Sequence, residues 1–93
     1  MEVLFTFGSA KHFPFEGGYL IINAANTLDA TEEFRRLYPD EHAGVLNCSD
    51  IYTRQEDIDY FKNNGNRGQK CHKYIDIENK TQNKQKQKND FVR

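Results

Sequence analysis

The chain has no tryptophan, one methionine, two prolines and two cysteines among its 93 residues. Two cysteines cannot make the dense disulfide framework of a small secreted domain, and Cys48 and Cys71 do not stand at the paired spacing of a structural zinc site. Reduced thiols in a cytoplasmic protein are therefore expected, with a single Cys48–Cys71 disulfide left open. No apolar run approaches the roughly 18 residues of a membrane span. The opening "MEVLFTF" lacks a basic lead and a small-residue cleavage site, so no secretory signal is expected. No internal repeat is visible, and no glycine-rich loop runs through a Lys-Ser/Thr pair into a helix.

What remains is 37% apolar and 29% charged, with seven phenylalanines and five tyrosines supplying most of the bulk. A chain of this length fits one domain with a modest core. The net charge of -1 conceals a division. Residues 1 to 60 carry 4 Lys/Arg against 11 Asp/Glu, a balance of -7, whereas residues 61 to 93 carry 9 against 3, a balance of +6. The organisation expected is a domain over 1–78 with an acidic body, followed by a flexible basic tail over 79–93.

Hydrophobic patterning predicts the elements. "EVLFTFG" reads as a strand with Val3, Phe5 and Phe7 on one face and Leu4 and Thr6 on the other. "YLIINA" is an almost continuous apolar run, a second strand. In "NTLDATEEFRRLYPD", Ala30, Phe34, Leu37 and Tyr38 share a helical face, Asp29 with Glu32 matches a capping box, and Pro39 stops the helix. "HAGVLNCSDIYT" suggests a third strand around Gly44 to Cys48. A second helix follows, with Thr53 and Glu56 as its capping box, Ile58 and Phe61 on its apolar face, and Asn64-Gly65 as its C-cap. "GQKCHKYIDI" can add a fourth strand, with Cys71, Lys73, Ile75 and Ile77 alternating with His72, Tyr74 and Asp76. The order β-β-α-β-α, opening on a segregated hairpin, predicts a small α+β domain with a mainly antiparallel sheet. The tail "ENKTQNKQKQKNDFVR" has only Phe91 and Val92 as large apolar residues, too few to offset its ordering entropy, so disorder is expected there.

Few residues suggest chemistry. Gly8-Ser9 with Lys11 after a strand can make an anion-binding loop. An apolar strand follows instead of a helix, so residues 8–18 read as a hairpin connection. His12, His42, Cys48, Cys71 and His72 are the conceivable metal ligands, but they are scattered singly or adjacent, and no metal or cofactor is expected. Ser9 with His12, or a cysteine with a histidine, lacks an orienting carboxylate or a local signature, so no catalytic residue is assigned. Asp40, Glu41, Asp50, Glu56, Asp57 and Asp59 cluster in sequence. They read either as a solvated surface or as a negative patch that docks on a basic groove or mimics nucleic acid. Lys80, Lys84, Lys86 and Lys88 are the rival feature, able to make salt-sensitive phosphate contacts.

"FTFGS", followed by "GGYLIINA" and a helix with an alanine–phenylalanine face, resembles small proteins encoded by bacteriophages and integrated elements of Gram-positive bacteria. The likeness spans about residues 3 to 50. It implies a mobile-element origin, and with it the class of small acidic inhibitors of host defence, anti-CRISPR proteins among them, that work by occupying a partner's surface. The resulting expectation is a nonenzymatic cytoplasmic protein that binds another macromolecule, a protein such as a host nuclease, through Asp50, Glu56, Asp57 and Asp59. The alternative is a nucleic-acid-binding accessory protein that uses the basic tail.

Overall fold

A computed structural model describes residues 1–78, and the tail with Lys80, Lys84, Lys86 and Lys88 lies outside the described residues. The elements are β1 (Glu2–Thr6), β2 (Tyr19–Asn23), α1 (Thr27–Leu37), β3 (Asp50–Tyr52), α2 (Gln55–Asn64) and β4 (Cys71–Asp76). They form a small α+β fold with a four-stranded sheet in the order β3-β1-β2-β4. The chain order differs from the expected β-β-α-β-α by this closing strand. β1 pairs antiparallel with both β2 and β3, whereas β2 and β4 are parallel. The sheet is therefore mixed. After α2 the chain re-enters beside the start of β2, where Gly18 N–H donates to Asn66 O and Tyr19 N–H to Lys70 O, so β4 can only run alongside β2 in the same direction.

The period of two in β1 and β2 divides the core. Val3, Phe5 and Phe7 join Leu20, Ile22 and Ala24 on one face, closed by Ala30 and Phe34 of α1. Leu4, Tyr19 and Ile21 occupy the other, closed by Ile58 of α2 and flanked by Tyr52 and Phe61. Both inner strands are thus covered on both faces, which is why they read as near-continuous apolar runs. Phe34 stacks on Phe5 with ring centroids 4.5 Å apart and lies 6.1 Å from Phe7. Such pairs add about 0.5–1.5 kcal/mol each beyond the area they bury.

The helices lie where the pattern placed them, but their caps differ. The N-cap of α1 is Asn26, whose Oδ1 accepts from Asp29 N–H at 2.8 Å. Asp29 is therefore inside the first turn, where its charge favours the helix dipole, and is not the cap. Arg54, not Thr53, precedes α2, and its side chain makes no capping bond. Gly65 closes α2 at φ 76°, as the Asn-Gly pair implies.

The third strand was expected around Gly44 to Cys48 and lies at Asp50–Tyr52. Gly44 adopts φ 79° in a tight turn closed by Val45 N–H to His42 O at 3.0 Å, which turns 42–45 into a loop tip. Strand pairing begins only where Ser49 N–H reaches Thr6 O at 2.7 Å. In β4 the expected alternation breaks as well. Tyr19 pairs with Cys71 but Leu20 with Lys73, so His72 is an extra residue that bulges the strand. Its ring turns to the α1 face and stacks on Phe15 at 4.2 Å.

Candidate interaction face and polar pocket

The connection from Phe7 to Gly18 is tied down along its length. Gly17 N–H donates to Gly8 O, and the Asn66 amide donates to both Phe7 O and Gly18 O, at 3.0 and 2.9 Å. His72 Nε2 lies 2.9 Å from Gly17 O. Gly17 and Gly18, at φ 71° and 74°, take a backbone conformation that side chains disfavour. The segment joins two antiparallel neighbours and folds Phe13 and Phe15 onto the α1-side core, so its glycines form a hairpin connection.

The acidic residues divide into groups. Asp40 is held by Arg35 at 2.9 Å, beside the end of α1. Glu41 belongs to the loop beyond it. Glu56, Asp57 and Asp59 are all carried by α2, and Asp50 opens β3. Asp50 and Asp57 both bear on Tyr52, whose phenol is raised by burial first and then by these two carboxylates. Asp59 accepts from Gln55 at 2.9 Å, and its charge bears on Glu2 on the other flank. Arg54 bonds Glu56 and lies 3.9 Å from Asp57.

Ile58 points inward, so Glu56 and Tyr60, four residues apart, fall on the outer side of α2. Tyr60 is 60% exposed. The outer face of α2 is thus a tyrosine flanked by carboxylates. Tyr60 was missed at the sequence level, although Ile58 and Phe61 already marked the inward stripe and placed position 60 opposite.

Two loops at the other side of the fold bring distant residues together. His12 and His42 meet edge to face, ring centroids 5.4 Å apart. With Phe13, Glu41, Asn47 and Cys48 they line a pocket of about 140 Å³. Asn47 is 7% exposed, and its Nδ2 donates to His12 O at 3.2 Å while its Oδ1 is buried without a partner. The Cys48 thiol is pushed up to about 11 by burial and then by Asp50, so it stays protonated at neutral pH and is a poor nucleophile. No group of three or more His, Cys, Asp or Glu among the described residues is placed to hold a metal ion. Cys48 and Cys71 are both free thiols.

Among the described residues no helix is long and apolar enough to cross a membrane. Comparison with protein-family models, curated proteins and solved structures finds no match to this chain.

Proposed function

We propose that the protein is a nonenzymatic binding protein that seats the outer face of α2 on a basic surface of a protein partner. The observation that carries this reading is Tyr60, 60% exposed on α2 with Glu56 one turn before it and Asp57 and Asp59 alongside. Tyrosine is enriched at the centres of interfaces, where its ring supplies area at little entropic cost, and the surrounding carboxylates steer a cationic partner and raise the association rate. A basic groove that ordinarily holds nucleic acid fits this face, and occupying it makes the protein an inhibitor of a nucleic-acid-handling enzyme. A phage or mobile-element origin and an anti-CRISPR-like role are the sharper form of the same proposal.

The test is capture of partners from a nuclease-treated bacterial lysate by the full-length protein, in parallel with Tyr60→Ala and with Glu56→Lys/Asp59→Lys. Removing an anchor of this kind costs at least about 2 kcal/mol of binding. The expected result is one protein retained at stoichiometric amounts by the wild type and lost by both variants. Retention by both variants overturns the assignment of this face. Loss of all binding on nuclease treatment transfers the function to nucleic acid and to Lys80, Lys84, Lys86 and Lys88.

A further inference from the structure

A buried amide oxygen without a donor costs about 1–3 kcal/mol, and native structures place such an atom where something absent from the free chain completes it. Asn47 Oδ1 is that atom, on a residue lining the pocket between the loops that carry His12 and His42. The amide's orientation is fixed by its own donation to His12 O, since turning it over would set oxygen against oxygen. The pocket is short of one hydrogen-bond donor.

The rest of the lining says what kind of donor. Each neutral imidazole offers one acceptor nitrogen, and a carboxylate offers only acceptors. Neither Lys nor Arg lines the pocket. Phe13 contributes an aromatic wall of the sort that attracts cations, and Leu46 an apolar one for a hydrocarbon stem. Glu41 makes no ion pair among the described residues and supplies the negative charge. At about 140 Å³ the space suits one long side chain rather than a nucleotide or a peptide.

We infer that this pocket receives a lysine side chain of a protein partner, its stem against Phe13 and Leu46 and its ammonium donating to Asn47 Oδ1 with Glu41 and the imidazoles around it. The inference rests on the reading of a basic partner, but it is tested without one. The full-length protein is titrated with Nα-acetyl-lysine methylamide and, separately, with the norleucine analogue, which keeps the stem and lacks the ammonium. NMR follows the Asn47 side-chain amide and the His12 and His42 rings.

Saturable shifts at these three residues with the lysine probe alone are expected. Glu41→Gln, a change at an exposed side chain, weakens that binding several-fold, and Asn47→Asp strengthens it by placing a carboxylate at the floor. Shifts with neither probe, equal shifts with both, or unchanged affinity in Glu41→Gln overturn the inference and leave the buried oxygen to an ordered water. Because Glu41→Gln does not disturb the core, the test stands even where Asn47→Asp fails to fold. Failure here leaves the partner capture through α2 standing, and failure of that capture leaves this titration standing.

Discussion

On one face of the sheet Phe5, Phe7 and Phe34 stack into a continuous aromatic layer, joined by Phe13, Phe15 and Tyr38 at its margin. On the other, Leu4, Tyr19 and Ile21 meet a single fully buried helix residue, Ile58, and the margin is made of Tyr52 and Phe61. Both faces come from alternate residues of the same two strands, yet the first is sealed by ring stacking and the second is thin and rimmed by charge. Burial scales with apolar area, so the α1 face carries more of the stability. The α2 face keeps its outer residues exposed, among them Tyr60 and Tyr74. A small domain with one thick face and one thin one can vary the outside of the thin helix without losing its fold.

Breaking the thick face has the largest expected effect. Phe34→Ala removes the ring that stacks on Phe5 and lowers unfolding stability by about 3–5 kcal/mol, enough to unfold a domain of this size at moderate temperature. Ile58→Val on the thin face costs about 0.5–1.5 kcal/mol. Urea denaturation of both variants checks the contrast, and equal losses would show that the two faces carry the fold equally. Next in size is the seam where the β1–β2 connection meets β4. Gly18 sits at φ 74°, and a Cβ there would lie 2.8 Å from Lys70 O, a backbone atom that cannot swing aside. Gly18→Ala therefore costs more than the about 1–2 kcal/mol of a left-handed backbone alone. Gly44→Ala is the control, because Gly44 has the same sign of φ and nothing within 4 Å of the added atom. A Gly44→Ala loss as large as that of Gly18→Ala would mean that the close approach contributes nothing.

A smaller change separates the caps from their sequence signatures. Asn26→Ala should cost about 1 kcal/mol, because it removes the acceptor for Asp29 N–H, whereas Thr53→Ala should be nearly silent. The pair also shows how much was legible beforehand. Strand faces and helix stripes were readable in Val3 to Phe7, Leu20 to Ala24 and Ala30 to Tyr38, because period-two and period-3.6 burial leaves a direct trace in residue type. The cap of α1 was misread because two overlapping triplets, Asn26 to Asp29 and Asp29 to Glu32, carry the same chemistry and differ only in where the helix begins. The position of β3 was hidden because it is three residues long, with Asp50 and Ile51 exposed, and therefore has no hydrophobic alternation to read. The direction of β4 depends on where α2 delivers the chain, a tertiary fact. Of the candidate site, the carboxylates of α2 were visible in the sequence. The meeting of His12, His42 and Asn47 was not, since it is made by two loops whose sequences show no periodicity.

The smallest expected effect lies at the rim of the thin face, where Glu2 accepts from Tyr74 Oη at 2.7 Å and from Lys62 Nζ at 2.9 Å. Burial works to raise the Glu2 carboxyl, but the hydrogen bonds from Tyr74 and Lys62 and the lysine charge outweigh it and hold the group below its ordinary 4.5. A carboxylate lowered in the folded state contributes stability that is complete above its unfolded value and is lost as the pH falls through its folded one. Acid titration of stability should therefore be shallower in Glu2→Gln below the ordinary glutamate range, with little difference between the variants' pH dependences near neutrality. Tyr74 supplies the opposite limb. Its phenol is pushed up to about 12 by burial first and then by its bond to Glu2, so the unfolded chain ionises before the folded one and stability declines as the pH rises above the ordinary tyrosine value of about 10. Tyr74→Phe keeps the ring and removes the hydroxyl, which should abolish the alkaline limb attributed to Tyr74 and flatten part of the acid one. If Tyr74→Phe left both limbs unchanged, the rim of the thin face would be no more than a solvated surface, and its charge would matter only to a partner.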